Sequence, residues 1–284
     1  MKYDAAQDQP AASARTGSAQ RPSRVSDNRL GRERVTIAGV PIDNVDDDEA
    51  LASIERMVTE GGPHYMVVAN AAKVVAASRD RRLKEILLQA DLLTADGMSV
   101  VWAARLLGRP LKGRVTGIDL FERLVGLAAA NEWPVYLLGG TVASVEGAAS
   151  KLAVRHPRLR IAGHRNGYFE ACQSSEIAAA IKKSGAYLLF VGMGSPRQEK
   201  WMMDNLAPTG VRFALGVGGS FDHVSGLARR APAWMQRGGL EWLYRLAREP
   251  RRLWRRYLIG NALFGWLIVK QMLSRSRRSP AAYE

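Results

Sequence analysis

The sequence contains little cysteine and little histidine. Cys172 is the only cysteine among 284 residues, which excludes an intrachain disulfide framework and favours a reducing compartment. The four histidines show no spacing typical of metal ligands, so we expect neither a zinc site nor a thiol nucleophile paired with histidine. No G-x-S-x-G segment is present, so the usual signal of a serine hydrolase is missing.

Long apolar runs are also missing. None reaches the ~18–20 residues that a membrane span needs. The longest candidate, residues 257–269, is shorter and contains Gly260, Asn261 and Gly265. The N-terminal segment MKYDAAQDQPAASARTGSAQ has no apolar h-region, so we do not expect a secretory signal.

Positive charge is concentrated at one end of the chain. The formal net charge is +14, and residues 229–278 alone contain thirteen basic and two acidic residues. Residues 35–228 are nearly neutral, with a net charge of +1. Such a basic segment favours anionic partners, which include phospholipid headgroups, pyrophosphates and nucleic acid.

Strand-like apolar runs alternate with helical patterns from Val35 onward. The runs RVTIAGVPI, HYMVVAN and AYLLFVGM are strand-like, and patterns such as RRLKEILLQA and GIDLFERLVGLAAANEW lie between such runs. This βαβα alternation predicts an α/β fold, with a Rossmann-like, mainly parallel sheet and helices on both faces. We place this α/β domain at residues 34–228, after a tail of residues 1–33 that is predicted to be disordered.

A C-terminal helical appendage is predicted for residues 229–273, where strand-like runs stop. Pro232 fits a helix start, and the helix is expected to run to about Glu249. Pro250 then ends that helix and opens another. Residues 274–284 are again predicted to be disordered.

Three polar side chains follow predicted strands. Asn70 and Asp96 each stand at a strand-to-helix switch, and Gln198 lies at the start of a helix after a strand. Open α/β sheets bind ligands at the carboxyl ends of their strands, so the three residues predict a shared site. The alternative is that Asn70 and Asp96 only cap helices and that Gln198 lies on an exposed first helical turn.

Three strand ends, in residues 137–147, 191–201 and 216–226, are rich in glycine. Glycine lets backbone N–H groups approach a phosphate, and three such ends in one sheet favour a nucleotide crevice over glycines that only make turns. None matches a P-loop or a clean dinucleotide fingerprint, so no cofactor is predicted. The candidate ligand-binding glycines are Gly139, Gly140 and Gly194.

Two further loops carry candidate polar residues. Arg114, Thr116 and Asp119 precede a predicted helix, where they either bind an acceptor and close the site, or Asp119 caps the helix and Arg114 is solvated. Asp46 and Asp48 form a D-x-D pair, with which many sugar transferases hold a divalent metal. Because both lie at a helix start, whose dipole stabilises negative charge, we favour capping and predict no metal site.

The appendage interleaves arginines with aromatic residues. Arg252 and Arg255 are neighbours on one helix face, from which Trp254 and Tyr257 can point away. A basic face opposite tryptophan and leucine is typical of a helix in a membrane interface. Nucleic-acid binding and a solvated charged face are the alternatives. The apolar stretch 257–269 favours the membrane, because RNA binding would not need it.

The sequence resembles the WecG/TagA/CpsF family of bacterial glycosyltransferases, family 26 of that class, from about Val35 to Leu273. The resemblance rests on the motifs NAAKVV, ADGMSVVW, RVTGIDL, LLGG, GMGSPRQEKW, GVGGSFD and RAPAWMQRGGLEWLYRLAREPRRLWRRY. It implies an enzyme that transfers a sugar from a UDP-sugar, with inversion and without a metal, to a polyprenyl-diphosphate-linked sugar. Such enzymes act at the cytoplasmic membrane face and make precursors of wall teichoic acid, enterobacterial common antigen, capsule and exopolysaccharide.

The resemblance also implies roles for individual residues. Asp96 matches the proposed general base, and Asn70 and Gln198 match further polar residues of the active site. Asp222 lies in a segment that resembles one contacting the nucleotide. The chain departs from the family at Val68, where threonine is often found, so a hydroxyl contact is missing or supplied elsewhere. The appendage arginines that match pyrophosphate-holding residues are Arg245, Arg252 and Arg255.

The sequence therefore predicts a UDP-sugar-dependent hexosyltransferase that needs no metal. Its α/β domain would bind the UDP-sugar, and its appendage would cover the site and dock on the anionic inner face of the plasma membrane. The expected partners are the donor, the lipid-linked acceptor and that membrane, without nucleic acid, and a homo-oligomer stays open. Two other classes also stay open: an epimerase or oxidoreductase acting on nucleotide sugars, and an arginine-rich nucleic-acid-binding protein.

Overall fold

A computed structural model of the protein describes residues 31–276. The side chains at positions 237, 252, 256, 275 and 276 lie outside that description. The disorder predicted for residues 1–30 and 277–284 stays a prediction, because these residues also lie outside that description. The same prediction is wrong for residues 274–276, which belong to a helix that ends at Ser276. It is also wrong for Arg32 and Glu33, which form hydrogen bonds with Asp43 and Asn44.

The apolar runs of the sequence form a parallel sheet. The strands of the described residues are β1 (Arg34–Ile37), β2 (Val40–Asp43), β3 (His64–Ala69), β4 (Leu92–Ala95), β5 (Val135–Gly139), β6 (Ile161–Arg165), β7 (Leu188–Gly192) and β8 (Phe213–Gly216). Strands β3 to β8 pair in the order β4-β3-β8-β7-β5-β6, and every pair is parallel. The predicted α/β fold with a mainly parallel sheet is therefore confirmed.

Strands β1 and β2 form an antiparallel hairpin outside this sheet, in which Arg34 pairs with Asp43. The run RVTIAGVPI looks continuous in the sequence, but the chain reverses at Ala38 and Gly39, whose φ angles are 48° and 79°. Glycine adopts such left-handed angles without steric cost, so Gly39 makes the tight turn possible.

Helices cover both faces of the parallel sheet. In the α/β body they are α1 (Asp47–Glu60), α2 (Ala71–Ala77), α3 (Arg81–Gln89), α4 (Met98–Leu106), α5 (Gly117–Ala130), α6 (Val142–Arg155), α7 (Ser174–Ser184), α8 (Arg197–Thr209) and α9 (Ser220–Ser225). Successive strand residues alternate between two cores: Leu189 and Val191 belong to one, and Leu188 and Phe190 to the other. Alternation of this kind follows from the period of two in a strand.

The strand order reverses along the sheet, and we call the region at the carboxyl ends of the strands beside this reversal the crevice. The chain leads from β3 outward to β4, then crosses to β5 and leads outward to β6 on the opposite side. Strands β7 and β8 fill the middle, between the two directions. Open α/β sheets bind their ligands where the strand order reverses in this way.

The appendage consists of short helices followed by a long one. They are α10 (Ala233–Arg237), α11 (Glu241–Arg248), α12 (Pro250–Trp254), a π-helical turn (Arg255–Ile259) and α13 (Gly260–Ser276). The prediction of one helix from Pro232 to about residue 249 is wrong, because Gly238 and Gly239 interrupt it, with φ of 70° at Gly239. A Cβ at Gly239 would lie only 2.5 Å from the Cγ of Met98, so glycine permits close contact with α4. Pro250 opens α12 as predicted.

Helix α13 fastens the end of the appendage to the body. Phe264 and Ile268 are buried in the same core as side chains of α2. The Gln271 amide donates to the Thr36 carbonyl at 2.8 Å and accepts from the Ala38 N–H at 2.6 Å. Among residues 31–276, no helix combines the length and the apolar character that crossing a membrane requires.

Candidate functional site

Asp96 and Asn70 lie side by side at the carboxyl edge of the sheet. Each follows the last residue of its strand, and these last residues, Ala95 and Ala69, are register partners. The Asp96 N–H donates to the Ala69 carbonyl at 2.8 Å. A Cβ at Gly97 would lie 3.4 Å from the Asn70 Cβ, so the two strand ends are in close contact.

The two side chains have different local partners. Asn70 caps α2, because its Oδ1 accepts from the Lys73 N–H at 3.0 Å. Asp96 does not cap the helix that follows it, since the N-cap of α4 is Gly97. The Asp96 Oδ1 instead accepts from the Gly117 N–H at 3.2 Å, at the start of α5. The half-buried carboxylate is thus stabilised by the N-terminal end of a second helix.

Gln198 lies beneath the crevice and is only 2% exposed, so the alternative of an exposed first turn is wrong. Its Nε2 donates to the Glu199 Oε1 at 3.0 Å, and its Oε1 accepts from the Gly218 N–H at 3.1 Å. The same Glu199 oxygen accepts from the Lys73 Nζ at 2.7 Å, and these two side chains are 4% (Lys73) and 0% exposed. Polar contacts therefore connect Asn70, through Lys73, to the loop after β8.

The glycine-rich strand ends converge at the centre of the sheet. The Gly140 N–H donates to the Gly192 carbonyl at 2.8 Å. A Cβ at Gly139 would lie 2.4 Å from the carbonyl carbon of Gly192, and a Cβ at Gly192 would lie 2.8 Å from the Gly218 oxygen. Backbone thus packs directly on backbone across β5, β7 and β8. Gly194 lies on the exposed loop after β7, and a nucleotide-binding role for these glycines stays a prediction.

Helix α9 connects the glycine-rich end of β8 to the appendage. Asp222 is half-buried in its first turn, and a Cβ at Gly219 would lie 3.7 Å from the Asp222 Oδ2. The Nε2 of the next residue, His223, lies 3.5 Å from the Arg245 guanidinium. Burial and the positive charge of Arg245 lower the pKa of His223, which favours a neutral imidazole beside that arginine.

Arg114, in the loop before α5, and Asp119 both contact the appendage, so the alternatives of a solvated Arg114 and a capping Asp119 are wrong. Asp119 also lies in the first turn of α5 and not before the helix as predicted. Thr116 is the N-cap of α5, because its Oγ1 accepts from the Asp119 N–H at 3.2 Å. The Asp119 carboxylate accepts two hydrogen bonds from Arg230, one of them 2.9 Å long. Burial, which raises the pKa of Asp119, is outweighed by hydrogen bonds from Arg230 and Thr116, so this pKa is lowered. Arg114 donates to the Gln236 carbonyl at 3.2 Å.

Glu241 of α11 lies among three guanidinium groups, which we call the arginine cluster (Arg114, Arg230 and Arg245). Its carboxylate is 3.1 Å from Arg245 and 3.8 Å from each of the other two, and its side chain is 12% exposed. With Asp119 and Glu241 as its carboxylates, the cluster keeps one excess positive charge. Guanidinium groups bind phosphate oxygens in bidentate fashion, so the cluster is suited to a diphosphate.

The other two appendage arginines named from the sequence lie farther along the chain. Arg255 is exposed, and its guanidinium lies 5.3 Å from the ring centroid of Trp254. Arg252 belongs to α12, and its side chain lies outside the described part of the structure. A role of either residue in holding pyrophosphate stays a prediction.

The D-x-D pair at the start of α1 has structural partners. Asp46 caps α1 in a capping box with Glu49, and Asp48 pairs with Arg123. The interpretation of Asp46 as a cap is therefore confirmed. Within residues 31–276, no three histidine, cysteine, aspartate or glutamate side chains are grouped so that they could hold a metal ion.

Four charged residues of this region received no role from the sequence: Lys73, Glu199, Arg230 and Glu241. Lys73, Glu199 and Arg230 look like ordinary solvated side chains, because their partners are distant in the sequence. Glu241 looks like half of a common i,i+4 pair with Arg245, and its contacts with Arg114 and Arg230 depend on the tertiary structure. The available signal was weak. Glu199 directly follows Gln198. Arg230 belongs to a basic pair, Arg229 and Arg230, that directly follows the predicted domain boundary at residue 228.

Comparisons with known proteins agree with this architecture. A family model described as "Glycosyl transferase WecG/TagA/CpsF family" matches residues 35–278. The chain is similar to the N-acetylglucosaminyldiphosphoundecaprenol N-acetyl-beta-D-mannosaminyltransferase of Bacillus subtilis (strain 168), with 36% identity over 185 residues, which are 64% of this chain and 70% of that protein. A protein of the same name from Staphylococcus aureus (strain MW2) is 32% identical over 246 residues, which are 86% of this chain and 95% of that protein.

The family match spans the parallel sheet, the three glycine-rich strand ends and the arginine cluster. The family match and the two relatives agree with the resemblance seen in the sequence motifs. The chain belongs to the WecG/TagA/CpsF family of glycosyltransferases.

Proposed function

We propose that the protein transfers a sugar from a UDP-sugar to a sugar carried on polyprenyl diphosphate, with Asp96 as the general base. The observation that carries this proposal is the position of the half-buried Asp96 carboxylate. It lies next to Asn70 at the edge of a crevice that is otherwise lined by glycine-rich strand ends. The names of the relatives support a lipid-linked acceptor, since they describe transfer of N-acetylmannosamine to N-acetylglucosaminyldiphosphoundecaprenol.

The proposed chemistry is a single displacement. The acceptor hydroxyl gives its proton to an Asp96 oxygen while its own oxygen forms a bond to the anomeric carbon of the donor. The bond from that carbon to the UDP oxygen breaks at the same time, and UDP leaves with the bonding electrons. Attack from the side opposite the leaving group inverts the anomeric configuration.

The leaving diphosphate needs its charge stabilised. In this proposal Arg114 and Arg245 of the arginine cluster supply that charge, together with backbone N–H groups of the glycine-rich strand ends. Glu241 and Asp119 hold the guanidinium groups in place before the ligand arrives. Fixed positive groups cost little reorganisation during the reaction, which is the source of their effect on rate.

In this proposal Val68 affects the preference for the donor or the acceptor sugar. This side chain is 8% exposed and packs against Gly117, where a Cβ would lie 3.4 Å from the Val68 Cγ2. Gly117 also donates to Asp96, so the departure from threonine lies next to the proposed base. A donor screen should therefore include several UDP-sugars and not N-acetylmannosamine alone.

The test is a UDP-release assay with a short-chain lipid diphosphate acceptor and a panel of UDP-sugars. We expect UDP release from one donor to depend on the acceptor and to continue within about twofold in excess EDTA, because arginines do the work of a metal. Loss of activity in EDTA that added Mg²⁺ or Mn²⁺ restores would contradict the metal-independent mechanism. Absence of acceptor-dependent release from every donor would contradict the transferase proposal.

We also propose that α13 docks on the anionic cytoplasmic face of the membrane. Its inner face is buried against the body, whereas Trp266, Val269 and Leu273 on the other face are 63%, 46% and 59% exposed. These positions are spaced by three and four residues, so they form one apolar stripe. A helix with such a stripe and flanking arginines binds at the boundary between headgroups and acyl chains.

The double substitution Trp266→Ser/Leu273→Ser should lower co-sedimentation with phosphatidylglycerol vesicles by at least about fivefold, because two large apolar contacts are lost. Val154→Ser is the matched control, since Val154 is 79% exposed on α6 of the body. Equal sedimentation of the double variant and the wild type would contradict docking through α13.

A further inference from the structure

We infer that Lys73 and Glu199 are positioning residues of the donor site, which act through Gln198 on the loop of residues 217–219. This inference rests on the proposed function, because it assigns that loop to the UDP moiety. Neither side chain reaches the crevice itself, because the Lys73 side chain is 4% exposed and the Glu199 side chain is 0% exposed. Their effect on a ligand must therefore pass through the residues that they contact.

The Glu199 carboxylate determines which way the Gln198 amide points. A carboxylate only accepts hydrogen bonds, so the group of Gln198 that faces the Glu199 Oε1 has to be the NH2 group. The distance between Nε2 and that oxygen is 3.0 Å. The amide oxygen is thereby directed to the Gly218 N–H, 3.1 Å away, which can only donate. With no acceptor at position 199, the NH2 group of Gln198 would be buried without its partner. Turning the amide over would not help, because the NH2 group would then face the Gly218 N–H, which is also a donor.

Lys73 determines where that carboxylate lies. Its Nζ donates to the same Glu199 oxygen at 2.7 Å, while the other oxygen, Oε2, is buried with no hydrogen-bond partner among the described residues. All of the directional contacts of the carboxylate are thus at Oε1. The backbone of Lys73 is in turn fixed by the Asn70 cap of α2.

The loop of residues 217–219, which Gln198 contacts, has a restricted backbone conformation. Gly218 has a φ of 55°, and its carbonyl oxygen lies so close to β7 that a Cβ at Gly192 would be 2.8 Å from it. On one side the Val217 N–H donates to the Val191 carbonyl at 2.9 Å. The Gln198 contact fixes the next N–H, so the loop enters α9 and Asp222 in one conformation.

A contribution to the stability of the fold does not by itself explain why the Lys73–Glu199 pair is buried here. Well-packed apolar side chains of similar volume are often as stable as a buried ion pair, or more stable. The pair also connects three strand ends: Lys73 follows β3, Glu199 follows β7 and Gly218 follows β8. It therefore couples the Asn70 side of the crevice, where the acceptor binds in our proposal, to the loop on the donor side.

Two double variants separate positioning from charge and packing. Lys73→Met/Glu199→Met removes both charges and the acceptor for Gln198, whereas Lys73→Met/Glu199→Gln removes both charges but keeps an acceptor oxygen. We expect the first to weaken UDP binding by about 3- to 10-fold, the size of one hydrogen bond. The second should lose clearly less affinity, by no more than about threefold, because it keeps the acceptor oxygen although Lys73 no longer fixes its position. Isothermal titration calorimetry with UDP measures these constants on the full chain.

Steady-state kinetics supply the second measurement. The first variant should raise the KM for the donor and leave the KM for the lipid acceptor within about twofold, a split that general loosening of the fold would not produce. Lys200→Met is the surface control and should change neither, because the Lys200–Asp80 pair is about one-third exposed. If the first variant fails to fold, Gln198→Met removes the same contact and should show the same loss of UDP affinity.

The outcomes separate the inference from the proposed function. Wild-type UDP affinity in the folded Lys73→Met/Glu199→Met variant, or in Gln198→Met, would overturn the inference alone. Equal losses in both double variants would also overturn it, because the acceptor oxygen would then be irrelevant. A wild-type protein that binds no UDP would overturn the proposed function, and the inference with it.

Discussion

Asp96→Asn is expected to lower kcat by ~10²–10⁴-fold, the usual contribution of a general base. The amide of asparagine cannot take a proton from the acceptor hydroxyl at neutral pH. Its oxygen can still accept from the Gly117 N–H, now 3.2 Å from the Asp96 Oδ1, so the local fold should persist. UDP binding should stay within about threefold of the wild type, because Asp96 faces the acceptor in our mechanism.

Asp46→Asn is the matched control for this prediction. It makes the same chemical change at another aspartate that follows a strand and lies before a helix, but Asp46 serves only as the cap of α1. Asparagine is an equally good cap, so turnover should stay within about twofold. UDP formation measured in quenched single-turnover reactions separates the chemical step from product release. Near-normal turnover by a folded Asp96→Asn protein would contradict its assignment as the base.

The proximity of Asp96 and Asn70 could be predicted from the sequence, because the pattern that indicates it is local. Each follows an apolar run and precedes a helical pattern, and parallel strands bring such positions to one edge. Their contact required only that β3 and β4, which are consecutive in the chain, also be neighbours in the sheet, as they are. Which helix Asp96 would stabilise was not local: its partner Gly117 lies 21 residues later.

The Lys73–Glu199 contact was beyond the reach of sequence patterns. The two residues are 126 positions apart, and they meet only because β8 lies between β3 and β7. Nothing in the run AAKVVAA distinguishes a buried lysine from one that extends to solvent. Long-range strand order determines that contact, and periodicity determines only the faces of single elements.

The appendage shows a different reason for a wrong prediction. The helix predicted from Pro232 to about Glu249 was wrong at Gly238 and Gly239, and this pair of glycines was visible in the sequence. Glycine in a helix interior costs only ~1 kcal/mol, so the pair could not by itself exclude a continuous helix. The contact of Gly239 with Met98 decides the outcome, and that contact belongs to the tertiary structure.

Lys73→Met should lower the free energy of unfolding by ~3–5 kcal/mol, because it leaves the fully buried Glu199 carboxylate without its counter-charge. Few single substitutions in this chain should cost more, since values of that size arise mainly from buried charges and large cavities. Urea unfolding followed by circular dichroism measures the change, and the slope with denaturant should stay constant if the folded state is intact.

Lys200→Met provides the control for this last prediction, because Lys200 directly follows Glu199 in α8 but pairs with Asp80 at 2.6 Å, near the surface. Exposed pairs contribute only ~0–1 kcal/mol, so this loss should be several times smaller. Adding Glu199→Gln to Lys73→Met should recover most of the lost stability, since no buried charge then remains. A loss below ~1 kcal/mol for Lys73→Met, or no recovery in the double variant, would mean that Glu199 is protonated or hydrated and that Lys73 does not fix its position.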